Sequence, residues 1–457
     1  MTSENPFTQF SSFGSIWAAT VGRKCCGMAM ARRFEKFQSV DKGNGLRATS
    51  VLVPGELLYV VEEPFAYTVS KKSRGAVCER CLRRKDHLLR CSQCKFAKYC
   101  DARCQREAWG DHKRECKCFK SSHPRVPTDS VRLVGKIVFK LLKQSSCPSE
   151  ELYSFSDLQS NMKELSEEMR GGLENLAVVL QLYLKEEIQD FSQLPPGSNI
   201  LEFFAKVACN SFTISDGEMQ EVGVGLYPSM SLLNHSCDPN CEIIFEGQRL
   251  LLRTIKEIQI SEELTISYID LMMPTADRQL QLKRQYCFEC SCYRCRTQDK
   301  DADMLAGDEI TTKEVKDSIP KMEELQAQQK WDQILALCRS FINNNISHLP
   351  DTNIYQMKML DYAMDACINL SLWDEALLYA SRNLEPYSLY YSGFHSLRAV
   401  QIMQVGKLQH LLGKFPEALE TLKQAFNIMR VTHGRDHSLM QDLMELLGDT
   451  EASMKTL

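Results

Sequence analysis

Ser231-Leu232-Leu233-Asn234-His235-Ser236-Cys237-Asp238-Pro239-Asn240 sets an amide, an imidazole, a hydroxyl and a thiol side by side between an apolar run and an Asp-Pro turn. A second stretch, Glu263-Leu264-Thr265-Ile266-Ser267-Tyr268, alternates as a strand does and ends on a tyrosine. An Asn-His pair in a turn is ordinarily a cap or a satisfied polar group, so its reading depends on its surroundings. Downstream, Cys290-x-Cys292-x2-Cys295 supplies three metal ligands, and a structural Zn²⁺ takes four. Cys237 is the natural fourth ligand, with Cys287 as the alternative. If Cys237 is the ligand, one metal ties the tail to the Asn-His loop and walls a site between 234–240 and 268–290.

The chain has 457 residues, enough for two to four domains, with 44% apolar and 25% charged residues and a net charge of −4. That charge excludes a polyanion binder over the whole surface. No apolar run is long enough to span a membrane. Glu4 and the lack of a basic leader argue against a secretory signal. Most of the 20 cysteines fall between Cys78 and Cys118 or between Cys287 and Cys295. Clustered thiols in a chain without a secretory signal read as metal ligands rather than disulfides.

The strongest metal signal lies at 78–116. Cys78-x2-Cys81 and Cys91-x2-Cys94 are knuckle-type pairs, and Cys100/Cys104 and His112/Cys116 stand four apart, each pair on one helical face. Eight ligands suffice for two tetrahedral Zn²⁺ sites, although spacing alone does not say which pairs share a metal. Cys118 points away from His112. From Cys78 to Arg125 the segment carries a formal charge of +8, nearer +5 with its thiolates and metals counted. Such a basic module suits nucleic acid or an acidic protein, or is a solvated face.

Elsewhere, residues 1–30 read as a disordered extension, with a transit peptide as the alternative. Gly43-Asn44-Gly45 reads as a turn, and Val51–Val53, Pro54-Gly55 and Leu57–Val61 as strand, turn and strand. Residues 128–190 are helical by period, with stripes at Val131, Leu133, Val134, Ile137, Val138, Leu141 and Leu142 and at Leu173, Leu176, Val179, Leu180 and Tyr183. A helix is expected over 201–214, a turn flanked by Gly223 and Gly225, and short strands at 241–245, 249–254 and 264–268. Trp331, Trp373 and Phe415 recur at intervals of 42, each opening an amphipathic helix. This is a helical-hairpin array with repeats somewhat longer than tetratricopeptide units.

The order of these motifs over residues 34–457 resembles the SET- and MYND-domain lysine methyltransferases, the SMYD family. Cys78 to Cys118 and Asn210 to Asp270 place it nearest the family's third member. The resemblance implies an α+β multidomain protein, a β-rich SET fold split by a MYND zinc module and a helical insert. A zinc-bound post-SET tail and an α-helical TPR-like domain follow. The expected divisions are 1–30 extension, 31–77 SET N-terminal part, 78–116 MYND, 117–209 helical insert, 210–271 SET core, 272–298 post-SET tail and 299–457 repeats. The resemblance further implies S-adenosylmethionine held by Lys42, Gly43, Asn44, Tyr153, Asn161, Asn234, His235, Tyr268 and Phe288. It implies three Zn²⁺: one on Cys78, Cys81, Cys100 and Cys104, one on Cys91, Cys94, His112 and Cys116, and one on Cys237, Cys290, Cys292 and Cys295.

Methyl transfer to lysine needs a neutral amine, whereas free lysine titrates near ~10.4. A narrow apolar channel favours the neutral form, and aromatic walls suit the methylammonium product. Phe212, Tyr268, Tyr286 and Phe288 are the expected channel, with the Tyr268 hydroxyl orienting the amine. His235 is expected on the cofactor side, neither metal ligand nor general base. The expected substrates are lysines of histone tails and cytosolic proteins. The competing expectation is an inactive scaffold whose MYND module and repeats recruit partners. Expected contacts include proline-containing peptides or DNA at the basic MYND face and a chaperone or other partner at the repeats. A monomer in cytoplasm and nucleus, without a membrane, completes the reading.

Overall fold

The computed structural model describes residues 32–39, 41–143, 147–345, 349–391 and 393–456. The extension expected over 1–30 lies outside the described residues. β1 (Phe34–Ser39) pairs antiparallel with β2 (Gly43–Ala48), Phe34 opposite Ala48 and Ser39 opposite Gly43. Gly43-Asn44-Gly45 therefore opens a strand rather than forming a turn. At Gly45 a Cβ would stand 2.8 Å from the Phe37 ring and 3.0 Å from Asn234 Nδ2, so the glycine permits a close approach.

β3 (Leu57–Val61) pairs with β11 (Arg249–Thr254), which pairs with β10 (Cys241–Glu246). β4 (Ala66–Val69) pairs with β8 (Glu221–Leu226), which also pairs with β7 (Ser211–Ser215). Both sheets join residues before position 70 to residues after 210, so one β body is reassembled across a long insertion. Its core is Leu46, Leu52, Leu232, Leu233, Leu250 and Leu264, each at most 1% exposed. Val51–Val53 contributes only a single bridge, Leu52 to Ile258. Gly223 and Gly225 lie inside β8 rather than beside a turn. A Cβ on Gly223 would come within 2.5 Å of the Thr68 carbonyl, so the glycine admits the β4 backbone.

The inserted module holds β5 (Leu89–Arg90), β6 (Lys98–Tyr99) and α1 (Ala102–Ser122). The Asp101 carboxylate caps α1 by accepting from the Cys104 N–H at 2.8 Å. Cys100 therefore precedes the helix instead of sharing its face with Cys104. α2 (Asp129–Lys143) and α3 (Glu167–Leu184) form over the expected stripes, burying Val131, Leu133, Val134, Ile137 and Val138 and then Leu180 and Tyr183, but Val179 of the second stripe is exposed. The described residues between α2 and α3 are turns and a short 3₁₀ segment at Pro148–Glu150 rather than continuous helix. Arg132 on α2 is fully buried and joins Glu115 Oε1 at 2.9 Å to Glu79 at 3.2 Å, welding the zinc module to the insert. α4 (Ile200–Asn210) stops short of 214, because the β-favouring run Phe212-Thr213-Ile214 joins β7.

After β9 (Asn234–His235) and β12 (Thr265–Ile266) come α5 (Thr275–Tyr286) and α6 (Tyr293–Thr297). The helical region then runs through α7 (Asp301–Met304), α8 (Glu309–Ala327), α9 (Trp331–Asn345), α10 (Ile354–Asn369), α11 (Trp373–Arg382), α12 (Leu384–Tyr390), α13 (Ser396–Leu411), α14 (Phe415–Thr432) and α15 (Ser438–Thr456). The aromatics spaced by 42 each open a helix, α9, α11 and α14. Among the described residues no helix is long and apolar enough to cross a membrane.

Candidate active site

The site forms where β9 and β12 lie side by side. They pair in parallel, Asn234 beside Thr265 and His235 beside Ile266, and the Ser236 N–H continues the ladder to the Ile266 carbonyl at 3.0 Å. Asn240 fixes this crossing: its Oδ1 accepts from the Thr265 N–H at 2.9 Å and its Nδ2 donates to the Glu263 carbonyl at 2.8 Å. The Asn-His pair is thus strand rather than turn.

His235 is buried, and its Nδ1 accepts from the Tyr268 N–H at 3.0 Å. That bond leaves the ring proton on Nε2, which lies 3.2 Å from Cys237 Sγ. Burial pushes the imidazole down to about 4, so it is neutral. His235 therefore links the tyrosine backbone to a metal-ligand sulfur. The Tyr268 hydroxyl donates to the Leu233 carbonyl, and burial pushes its pKa well above the usual phenol range. With the proton so committed, the phenol lone pairs remain free to accept.

Tyr268 is ringed by aromatics. Its centroid lies 4.8 Å from Tyr286 and 6.4 Å from Phe288, while Phe288 lies 6.0 Å from His235. The Tyr286 hydroxyl donates to the Tyr268 carbonyl at 3.3 Å. A cavity of about 430 Å³ opens here, lined by Phe212, Tyr268 and Tyr286 at one end and by Asp270, Tyr391 and His395 toward the helical repeats. Phe288 is not among its lining residues.

Next to Asn234 lies a polar chain. Asn234 Nδ2 donates to Glu263 Oε1 at 2.8 Å and to the Asn44 carbonyl at 3.3 Å, and Lys42 Nζ pairs with Glu263 Oε2 at 2.7 Å. Asn44 Nδ2 reaches the Tyr153 hydroxyl at 3.3 Å, and Asn161 Nδ2 donates to the Tyr286 carbonyl at 3.2 Å. Lys42, Asn44, Tyr153, Asn234 and Glu263 thus form one connected set, whereas Asn161 joins the Tyr286 backbone instead. Glu263 and Asn240 were not singled out from sequence. Both sit in or beside the two opening stretches, and their signal was position alone.

Among the described residues three groups of potential metal ligands are present: Cys78, Cys81, Cys100 and Cys104; Cys91, Cys94, His112 and Cys116; and Cys237, Cys290, Cys292 and Cys295. In each group the ligand atoms lie within 4.8 Å of one another. A tetrahedral Zn²⁺ with bonds of about 2.3 Å holds sulfurs about 3.8 Å apart. The sulfur separations of Cys81–Cys100 (3.5 Å), Cys91–Cys116 (3.9 Å) and Cys237–Cys295 (3.5 Å) fit that size, as does Cys94 Sγ to His112 Nε2 at 3.5 Å. The three sites are zinc sites. Cys118 is buried outside them, and Cys287, the alternative tail ligand, instead caps α5 in the left-handed region at φ 60°.

A family model for the SET domain matches residues 43–269. Human histone-lysine N-methyltransferase SMYD3 is 58% identical over 423 residues, 93% of this chain and 99% of its own length. The chain belongs to the SMYD family. Mouse SMYD3 is also 58% identical, over 425 residues covering 93% of this chain and 99% of its own. The zebrafish (Danio rerio) N-lysine methyltransferase SMYD2-B is 32% identical, over 91% and 98% of the two chains. Within the SMYD family the likeness to SMYD3 is thus far higher than to SMYD2. A solved structure of the SET domain of LSMT, bound to lysine and AdoHcy, is a loose match at TM-score 0.32 and 12% identity, covering 93% and 88%.

Proposed function

We propose that this site transfers a methyl group from S-adenosylmethionine to the side-chain amine of a protein lysine, with Tyr268 orienting the amine. The observation that carries this is the position of Tyr268, between the cavity and the polar set around Asn234. S-adenosylmethionine supplies an electrophilic methyl on a sulfonium. Lys42, Gly43, Asn44, Tyr153, Asn161, Asn234, His235, Tyr268 and Phe288 are the residues that would hold it.

A lysine entering past Phe212 and Tyr286 leaves water behind, which favours the neutral amine. The Tyr268 oxygen, its own proton given to Leu233, can accept an amine N–H and fix the direction of the nitrogen lone pair. Burial pushes the Tyr286 phenol up to about 12, so both phenols stay protonated and neutral around the developing methylammonium. Their ring faces favour that cation. Water in the cavity can take the departing proton.

The human SMYD3 relative is a histone-lysine methyltransferase by name, which supports histone lysines as substrates, alongside non-histone proteins. The arginines and lysines of residues 78–125 support contact with DNA or an acidic protein, and MYND modules suit proline-containing peptides. The helical repeats offer a face to a chaperone or other partner, and we place the monomer in cytoplasm and nucleus. Labelled methyl transfer to histones and a protein extract tests the central reading. Incorporation that disappears on hydrolysis-resistant blocking of lysine amines supports it. Cofactor binding without transfer to any protein would leave a recruiting scaffold as the function.

A further inference from the structure

We infer that Glu263 is a positioning residue for the cofactor side of this site, acting through Asn234 and Lys42. The inference rests on the methyltransferase reading for its ligand, but its geometry stands on this chain alone.

Glu263 sits at the joint of three strands. Its carbonyl accepts from Asn240, the next N–H, of Leu264, donates to the Leu46 carbonyl at 2.8 Å, and its backbone bridges Arg47 on β2. The side chain is thereby aimed at the start of β2 and at β9. Each carboxylate oxygen has its own task. Oε1 takes the Asn234 amide at 2.8 Å, and Oε2 takes the Lys42 ammonium at 2.7 Å.

The chemistry fixes which way Asn234 faces. Its two near neighbours, the Glu263 carboxylate and the Asn44 carbonyl, are both acceptors, so the NH₂ end must point at them. Its Oδ1 is turned the other way and offers an acceptor to a bound ligand. Lys42 keeps two N–H donors beyond its bond to Glu263. One carboxylate thus holds both an acceptor, Asn234 Oδ1, and a donor, Lys42 Nζ. Gly45 lets this happen: a Cβ there would lie 3.0 Å from Asn234 Nδ2 and 3.2 Å from Glu263 Oε1.

Neutral glutamine at 263 keeps the shape and loses the charge. The Asn234 bond is no longer charge-assisted, and Lys42 is no longer held. In the full zinc-loaded chain, Glu263→Gln is expected to raise both the KM and the calorimetric Kd for S-adenosylmethionine about tenfold. The kcat should stay within about twofold, because no group at the reacting methyl changes. Glu262→Gln removes the same charge one residue away and should leave the KM alone. Lys42→Met should raise the KM less than Glu263→Gln, and the double variant should be no worse than Glu263→Gln alone. An unchanged KM and Kd in Glu263→Gln overturns the inference. So does a parallel loss of kcat and melting temperature, which marks a purely structural role. If the wild-type chain binds S-adenosylmethionine but methylates nothing, the functional reading fails, while a weakened Kd in Glu263→Gln still upholds the role of Glu263.

Discussion

Tyr268 concentrates what a single residue does here. Its N–H holds His235 in one tautomer, its hydroxyl is spent on Leu233, and its ring borders the cavity. Phenylalanine keeps the N–H and the ring and removes only the oxygen. Tyr268→Phe should therefore lower kcat by about a hundredfold, the size seen when one oriented polar group is removed from a reacting centre. Calorimetric affinity for S-adenosylmethionine should stay within a few-fold. Turnover near wild type would show that the hydroxyl does not orient the amine. Sequence alone exposed this residue because it ends an alternating stretch near a cysteine-counted metal site. Glu263 and Asn240 escaped because a glutamate in Glu-Glu-Leu and an asparagine after Asp-Pro look like surface and turn residues. Their roles depend on β9 and β12 lying side by side, and strand pairing over 30 residues leaves no local mark.

At the scale of elements, ligand counting outperformed pattern reading. Counting to four ligands per site gave the number of metal sites and showed that the tail lacked one ligand, while the pairing within 78–116 and the choice of Cys237 over Cys287 rested on the family resemblance. Cys292→Ala should reduce bound zinc from three to two per chain by elemental analysis and loosen α5 and α6, with a fall in transfer activity. Three retained zincs would refute the assignment of the tail site. Glycine-rich strands were misread as turns. Gly43 takes the left-handed region at φ 73° with open space around it, but Gly45, Gly223 and Gly225 each admit a neighbouring strand or side chain. That reason yields its own prediction for Gly223→Ala. Its new Cβ would meet the Thr68 carbonyl at 2.5 Å, a backbone atom that cannot step aside. The variant should lose about 2 kcal/mol, read as a lower melting temperature. A melt unchanged within error would mean that β4 and β8 can part at little cost.

At the scale of the molecule, motif order conveyed the sequence of modules, whereas their docking depends on contacts between residues hundreds of positions apart. The clearest is the seat of the α14–α15 turn on β10 and β11. A Cβ on Gly434 would overlap the Arg253 guanidinium, which donates to the Gly55 carbonyl at 3.0 Å. His437 Nε2 stands 3.2 Å from the Phe245 carbonyl, and the His433 ring packs 4.9 Å from His437. His433 Nε2 is buried with no partner. Burial, then His437, then Arg253 push His433 down to about 3, and burial also lowers His437. An unfolded histidine titrates near ~6.5, so between those values the unfolded chain holds the proton and the folded chain does not. The contribution of His433 is therefore fully present above about pH 6.5 and is lost as pH falls toward 3, up to a bound on the order of 5 kcal/mol. Asp361 opposes it: burial pushes that carboxyl up to about 7, so its contribution fades as pH rises. Wild-type melts mix the two signs, but the difference from His433→Gln isolates the histidine. From about pH 7 to about pH 4.5 the melting temperature of His433→Gln should fall less steeply than that of the wild type. Parallel slopes would show that the proton enters this interface without opposing the docked state.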